Sequence, residues 1–176
     1  MAGKTILILG GGVGGLVAAN ELRKQLGREH RIILIDKEAQ HVFSPSFLWL
    51  IFGWREPSQI AKDLSLLNKK GIEYFNTEVV KIDPENKVVE TSAQQKLSYD
   101  YLIIALGAEL APETIPGFSE AYNLHELAGV TKARDALREF SGGKVVVLVS
   151  SMPFKCPAAP YEIALLMDNF FKAKEA

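Results

Sequence analysis

The stretch that decides the fold is Ile6-Leu7-Ile8-Leu9-Gly10-Gly11-Gly12-Val13-Gly14-Gly15, where an apolar run meets a glycine-rich loop. The run over residues 4–9 is typical of a parallel strand buried on both faces. Residues 16–26 repeat apolar side chains at helical spacing, and residues 31–36 predict a second buried strand. A strand, a glycine loop, a helix and a strand in this order predict a βαβ unit of about thirty residues.

The glycine loop contains the pattern G-x-G-x-x-G as Gly10, Gly12 and Gly15. In such a loop the first glycine permits a tight turn, the second lets the backbone approach a pyrophosphate, and the third lets the helix pack on the strand. Asp36 follows about twenty residues later, at the end of the second strand, where a carboxylate accepts hydrogen bonds from ribose hydroxyls and repels a 2′-phosphate. The pattern predicts a dinucleotide site, with a bare glycine turn and a solvated Asp36 as the structural alternatives.

The middle of the chain predicts a mixture of elements. A helix is predicted over residues 58–70, with Gly71 as its C-cap, followed by a short strand over residues 72–75. Residues 79–82 and 87–91 flank the turn-forming residues 83–86 and predict a hairpin. Another buried strand is predicted over residues 99–106, ending at Gly107, and a linker with proline and glycine covers residues 112–117.

The last third predicts a helix over residues 130–140, a strongly apolar strand over residues 144–149 and a helix over residues 157–171. The fold class is therefore α/β: a Rossmann-like domain with a parallel sheet and an inserted β-hairpin over residues 1–111, and the beginning of a second, truncated Rossmann-like domain over residues 112–176. An apolar strand at 144–149 normally has flanking parallel strands. We therefore expect the front part of a longer two-domain protein, with an exposed apolar edge that leads either to self-association as a homo-oligomer or to local disorder.

Composition excludes several classes of function. The net charge of −1 and the absence of a basic block argue against nucleic-acid binding. No stretch approaches the roughly 18 apolar residues that span a bilayer, and glycines follow the first apolar run where a signal peptide would have its cleavage site. These features predict a cytoplasmic location. The single cysteine, Cys156, excludes an internal disulfide and a multi-cysteine metal site, and no metal site is predicted.

A second stretch, Tyr99-Asp100-Tyr101-Leu102-Ile103-Ile104-Ala105-Leu106-Gly107-Ala108, resembles the second motif of the two-dinucleotide-binding-domain flavoproteins, although the family more often has threonine where Leu106 stands. The resemblance implies FAD as the cofactor. It also implies that Ala105, Leu106 and Gly107 pass close to FAD and that Val79 touches the adenine. A plain core position is the alternative for Val79.

Two further stretches are similar to sulfide:quinone oxidoreductases and to the flavin subunit of flavocytochrome c sulfide dehydrogenase. The first runs over residues 41–55 and includes Ser44-Pro45-Ser46. The second is Met152-Pro153-Phe154-Lys155-Cys156-Pro157-Ala158-Ala159-Pro160-Tyr161-Glu162. In those enzymes a cysteine beside the flavin takes up sulfur as a persulfide, so the resemblance implies a catalytic Cys156. The implied set of FAD contacts also includes Gly14, Lys37, Ser44 and Pro45.

The residues around Cys156 support this role without the family. A nicotinamide-binding domain would carry a second glycine loop here, yet no residue from Ser150 to Tyr161 is glycine, which disfavours NADH binding. Lys155 and the start of a helix both favour the thiolate. The alternative is a buried, inert cysteine. Glu162 is either a proton acceptor near Cys156 or a first-turn helix acid, and the histidines His41 and His125 are predicted to be surface or packing residues.

The leading hypothesis is an FAD-dependent oxidoreductase of the sulfide:quinone type. Its partners are sulfide or another small sulfur compound, with quinone and the cytoplasmic membrane face reached through a part beyond Ala176. Flavocytochrome-type sulfide dehydrogenase is a close alternative that works outside the cytoplasm. A type II NADH dehydrogenase or ferredoxin reductase, and a non-catalytic flavin- or nucleotide-binding module, are the alternatives from other classes.

Overall fold

The structure is a computed structural model that describes residues 3–175, with side chains described to residue 173. The chain divides into two compact units. The first contains the residues up to 42 together with residues 61–109, and the second contains residues 43–60 together with the residues from 110 onward. The predicted division into domains at residue 111 stays a prediction.

A four-stranded parallel sheet forms the centre of the first unit. Its strands stand in the order β5-β2-β1-β9. The elements of this unit are β1 (Thr5–Leu9), α1 (Val13–Gln25), β2 (Arg31–Asp36), β3 (Gln40–Val42), β4 (Ala61–Asp63), a 3-10 helix (Leu64–Lys70), β5 (Glu73–Asn76), β6 (Val79–Asp83), β7 (Val88–Thr91), β8 (Lys96–Ser98) and β9 (Tyr101–Ile104). The predicted α/β class and parallel sheet are confirmed.

The two central strands are buried on both faces, as their continuous apolar sequences predict. Ile6, Ile8, Ile32 and Leu34 pack on one face with Ala19 of α1. The opposite face consists of Leu7, Leu9, Ile33 and Ile35, which pack with Val89 of β7. Each fully buried aliphatic side chain of this size stabilises the fold by about 1.5–3 kcal/mol. This core holds β1 and β2 in register, so that Leu9 lies opposite Ile35 and both strands end at the same edge.

The predicted hairpin is confirmed, and the sequence analysis missed its third strand. β6, β7 and β8 form an antiparallel meander in which β7 pairs with both neighbours. The meander lies on one face of the parallel sheet, because Val79, Val89 and Leu97 all pack in the same core cluster.

The single continuous helix predicted over residues 58–70 is wrong, because a short strand divides this range into two helical segments. A single-turn α3 (Pro57–Ile60) ends where β4 begins, and β4 pairs antiparallel with β3. Asp63 then starts the 3-10 helix, since its carboxylate accepts a 2.7 Å hydrogen bond from Ser65 N–H. The predicted end at Gly71 is confirmed: Gly71 has φ +78° and its N–H donates to Asn68 O. The long-range pairing of β4 with β3 outweighs the local helical pattern, which cannot reveal such a partner.

The second unit contains α2 (Phe47–Ile51), α3, α4 (Leu127–Glu139), α5 (Ala159–Glu175) and 3-10 turns at Ser44–Ser46, Pro112–Thr114 and Phe118–Glu120. α2 packs on α4. Arg134 of α4 donates to Glu56 over 3.0 Å, and the ring centroid of Phe52 lies 5.1 Å from that of Trp54. No helix among residues 3–175 is both long enough and apolar enough to cross a membrane.

The strand predicted over residues 144–149 is also wrong, because these residues form no strand in the structure. Val146 is 71% exposed and Leu148 is 76% exposed. A strand exists only through hydrogen bonds to a neighbour, and within residues 3–175 this segment pairs with none. The segment therefore presents apolar side chains without the sheet that its composition suits. The start of a second Rossmann-like domain stays a prediction.

Candidate functional site

The glycine loop lies at the carboxyl ends of β1 and β2, and two of its glycines are required by close backbone contacts. Gly10 has φ +104° and donates to Ile35 O over 2.8 Å. A Cβ at Gly10 would overlap the carbonyl of Ala105, and a Cβ at Gly15 would overlap the carbonyl of Gly10. A side chain at Gly10 would push the loop away from the end of β9, and a side chain at Gly15 would push α1 away from the loop.

Gly12 differs from these glycines, because a Cβ there would meet nothing within 4 Å. Gly12 is the N-cap of α1, and the helix has no side-chain cap and no acidic residue in its first turn. The first N–H groups of a helix lack intrahelical acceptors and carry partial positive charge. Gly12, Val13 and Gly14 are exposed, and no side chain caps the start of the helix. This geometry fits a pyrophosphate.

Asp36 lies at the end of β2 beside the loop. Its Oδ2 accepts a short hydrogen bond from Gly11 N–H, and its Oδ1 accepts one of 2.7 Å from Glu38 N–H. A carboxylate offers about four lone-pair positions, so both oxygens can still accept hydrogen bonds from ribose hydroxyls. The carboxylate is fixed in place before any ligand arrives, which fits the predicted ribose contact.

The turn that carries Asp36 and Lys37 is held by Asn76, a residue that the sequence analysis missed. The Asn76 side-chain amide donates to Asp36 O over 3.1 Å and to Lys37 O over 2.9 Å. Thr77 N–H also donates to Asp36 O, over 3.0 Å. Nearby, burial and the Asp36 carboxylate raise the pKa of Tyr74. The Lys37 side chain itself is exposed.

The second motif lies beside the glycine loop, although it follows nearly a hundred residues later in the chain. β9 pairs with β1, and Ala105 N–H donates to Leu9 O over 2.8 Å. A Cβ at Gly14 would lie 3.7 Å from the Ala105 Cβ. Leu106 is exposed, and Gly107 has φ +75° with open space around it. The fold thus brings the two predicted motifs together.

Val79 has apolar packing contacts, whereas His41 makes a hydrogen bond to the glycine loop. Val79 is partly buried and packs in the core cluster between the meander and the sheet, so its contact with adenine stays a prediction. His41 was predicted to be a surface or packing residue, but its Nδ1 lies 3.0 Å from Gly11 O. No sequence pattern signals this contact, because the partner is a backbone carbonyl.

The remaining candidate residues lie in the second unit. Ser44 and Pro45 form a 3-10 turn with Ser46 and are exposed. Cys156 is exposed and has φ +58°, and its carbonyl accepts a 3.1 Å hydrogen bond from Ala159 N–H at the start of α5. A positive φ is uncommon for a residue with a side chain. The roles predicted for Ser44, Pro45 and Cys156 stay predictions.

Two other titratable residues of this unit are His125 and Glu162. Burial, reinforced by the charge of Lys155, lowers the pKa of His125, which disfavours its protonated form. Glu162 is exposed, and its N–H donates to Ala158 O in the first turn of α5. The position of Glu162 in this turn fits the first-turn helix acid, one of its two predicted interpretations.

Comparison with known proteins agrees with this geometry. Residues 4–149 match the family model "Pyridine nucleotide-disulphide oxidoreductase". The mitochondrial sulfide:quinone oxidoreductase of Mus musculus is 27% identical over 173 residues, covering 95% of this chain and 38% of the relative. The sulfide-quinone reductase of Aquifex aeolicus (strain VF5) is 31% identical, covering 97% of this chain and 40% of the relative.

The X-ray structure of the sulfide:quinone oxidoreductase from Aquifex aeolicus superposes with a TM-score of 0.82 at 28% identity, over 97% of this chain and 40% of that one. A type II NADH:quinone oxidoreductase of Haemophilus influenzae is 28% identical but covers 60% of this chain and 27% of the relative. These matches confirm the predicted resemblance to the sulfide:quinone oxidoreductases. The chain spans about two fifths of the length of those relatives.

Proposed function

This chain belongs to the pyridine nucleotide-disulphide oxidoreductase family, and from that premise we propose that it is the FAD-binding part of an enzyme that oxidises sulfide or sulfane sulfur. FAD is the cofactor of the family, as the resemblance predicted. In the proposed enzyme, electrons pass from sulfur at Cys156 to the flavin and then to a quinone.

The observation that carries the proposal is how far the similarity extends. The two sulfide:quinone oxidoreductases match 95% and 97% of this chain, whereas the type II NADH:quinone oxidoreductase matches 60%. An alignment that covers more than nine tenths of this chain has to include most of its last third, and that third contains the cysteine segment. The exposure of Cys156 also supports the proposal, because a nucleophilic thiol needs access to its substrate and an inert core cysteine does not.

The residues of the first unit would hold the cofactor. The uncapped N-terminus of α1, opened by Gly12, would bind the pyrophosphate, and the Asp36 carboxylate would accept hydrogen bonds from the ribose hydroxyls. Ala105 and Gly107, at the end of β9, would lie against the cofactor on the other side of the loop. These groups bind and orient. They do not take part in the chemistry.

The chemistry would fall to Cys156. A Cys156 thiolate and a hydrosulfide ion would form one S–S bond as the S–H bond of the hydrosulfide breaks, which releases two electrons and one proton, and the cofactor would take up both. FAD, when bound, supplies the two-electron acceptor. The Lys155 ammonium, next to Cys156 in the sequence, would favour the approach of an anionic substrate.

The alternatives differ in the electron donor. A type II NADH dehydrogenase would have to bind NADH, yet the segment from Ser150 to Tyr161 contains no glycine that would let the backbone approach a second pyrophosphate. A non-catalytic module would bind FAD and accept electrons from neither donor. A quinone acceptor and a cytoplasmic location at the membrane face belong to the proposal, and they rest on the printed names of the relatives and on the sequence analysis.

An anaerobic titration of the FAD-loaded protein tests the proposal. We expect sulfide to bleach the flavin absorption, NADH to leave it unchanged, and Cys156→Ser to bind FAD normally without sulfide-dependent bleaching. Ser151→Ala is the matched control, because Ser151 is exposed in the same segment and should leave the titration unchanged. Bleaching by NADH, or by sulfide in the Cys156→Ser protein, would contradict the proposal.

A further inference from the structure

Gly11, the middle glycine of the loop, is held at both of its peptide groups. Its N–H donates to Asp36 Oδ2, and its carbonyl oxygen lies 3.0 Å from His41 Nδ1. An acceptor carbonyl at this distance requires Nδ1 of His41 to carry the proton and donate. Gly11 is therefore held by two hydrogen bonds, one to the Asp36 carboxylate at the end of β2 and one to the His41 imidazole on β3.

The hydrogen bond to His41 fixes the direction of the Gly12 N–H. The peptide group is planar and trans, so the carbonyl of Gly11 and the N–H of Gly12 point in opposite directions. When His41 holds the Gly11 carbonyl, the Gly12 N–H is turned away from His41. Glycine lies on both sides of this peptide and resists rotation less than any other residue. A flipped peptide would present a carbonyl oxygen where an N–H stands now.

His41 is itself firmly placed. It lies in the middle of β3, opposite Lys62 of β4, and is partly buried. Just before β3, the Ala39 carbonyl accepts a 3.0 Å hydrogen bond from Leu64 N–H. The Leu64 side chain also covers Gly11, because a Cβ on Gly11 would lie 2.6 Å from Leu64 Cδ1. The short β3–β4 ribbon thus brings both the imidazole and a packing side chain to the loop.

We propose that His41 is a positioning residue for the pyrophosphate of the dinucleotide: it holds the Gly11–Gly12 peptide so that an amide, and not a carbonyl, faces the anion at the start of α1. The inference rests on the FAD site of the proposed function and adds a residue that no glycine-loop motif contains. It concerns the phosphates alone, because the ribose contact belongs to Asp36.

Binding of ADP and of adenosine to the apoprotein distinguishes the phosphate contacts from the ribose contact, because both ligands carry the ribose and only ADP carries phosphates. In His41→Leu and His41→Phe, which lack the donor, we expect ADP to bind about tenfold more weakly, as for one lost hydrogen bond to a charged group. Adenosine affinity should stay the same. His41→Asn should keep ADP affinity near that of the wild type, since Nδ2 of asparagine is as many bonds from the backbone as Nδ1 of histidine.

His30→Leu is the matched control, because His30 Nδ1 accepts a 3.1 Å hydrogen bond from Lys4 N–H at the opposite end of the sheet. It should leave both affinities unchanged even if it lowers the melting temperature as much as His41→Leu does. Unchanged ADP affinity in the donor-free variants, an equal loss for ADP and adenosine, or failure of His41→Asn to retain binding would each overturn the proposal. Because no sulfide is involved, a failed sulfide titration leaves this test intact.

Discussion

Gly12→Ala should weaken FAD binding while leaving the stability of the fold nearly unchanged, which no other substitution in the loop is expected to do. Gly12 has φ −69° and ψ −173°, which alanine adopts without strain, and the added methyl group would meet no protein atom within 4 Å. The only expected cost to the fold is the weaker N-capping by alanine, at most about 1 kcal/mol of unfolding free energy. We expect the same methyl group to take up part of the exposed space at the N-terminus of α1, where the pyrophosphate would bind.

A methyl group there keeps the pyrophosphate from reaching its donors. Loss of one hydrogen bond to a charged group costs about 1.5–3 kcal/mol, so we expect FAD to bind about ten- to a hundredfold more weakly. Fluorescence titration of the apoprotein with FAD measures the affinity, and urea unfolding measures the stability. FAD affinity equal to that of the wild type in a folded Gly12→Ala protein would refute the placement of the pyrophosphate.

Gly15→Ala is the control with the opposite pattern. Its Cβ would overlap Gly10 O and lie 3.0 Å from the Gly10 carbonyl carbon. The loop and α1 must therefore separate, and overpacking of this kind costs about 1–3 kcal/mol of unfolding free energy. We expect the stability of Gly15→Ala to fall measurably, in contrast to Gly12→Ala. An unchanged stability of Gly15→Ala would contradict the close packing of the loop against the helix.

Three further predictions concern specificity, pH and association. Calorimetry should show tighter binding of FAD than of NADP, with a smaller difference in Asp36→Asn; equal affinities in the wild type would contradict the ribose contact. Lys4 donates a 2.8 Å hydrogen bond to the Asp100 carboxylate and lowers the pKa of Asp100 below its ordinary value of 3.8. The pair therefore stabilises the fold above pH 3.8, and this contribution is lost as the pH falls through the lowered pKa. Asp100→Asn should thus be less stable than the wild type at neutral pH, and the difference should vanish in acid unfolding experiments; a difference independent of pH would exclude this cause. Light scattering should show self-association that rises with concentration and weakens when Val146 and Leu148 are both changed to glutamate; an unchanged apparent mass would contradict a role for the exposed apolar segment.

The part of the fold that the sequence predicts well is the part that local spacing determines. Residues 6–36 contain the strand, the glycine turn, the helix and the acidic strand end in one continuous stretch, and β1, α1 and β2 lie where they were expected. The closeness of Ala105 to FAD was implied by the resemblance alone, and the position of Ala105 beside Gly10 was not predicted. It depends on a parallel pairing between residues far apart in the chain, which no local pattern encodes.

The errors share one physical cause. Residues 61–63 fall inside the helix predicted over residues 58–70, yet they form β4 because β3 supplies a hydrogen-bonding partner. Residues 144–149 have the composition of a buried strand, but no described residue pairs with them. The role inferred for His41 was missed for a related reason, since its partner is a backbone carbonyl brought close by that same β3–β4 pairing. Where a partner distant in the chain decides the structure, composition and periodicity predict little.

The mass of the peptide that contains Cys156 tests the central claim most directly. The FAD-loaded protein is treated anaerobically with one equivalent of sulfide, alkylated with iodoacetamide, digested and examined by mass spectrometry. The account predicts that Cys156 carries one additional sulfur atom, in proportion to the fraction of flavin that sulfide has reduced. Flavin reduced by sulfide with Cys156 carrying only the alkyl group would contradict it.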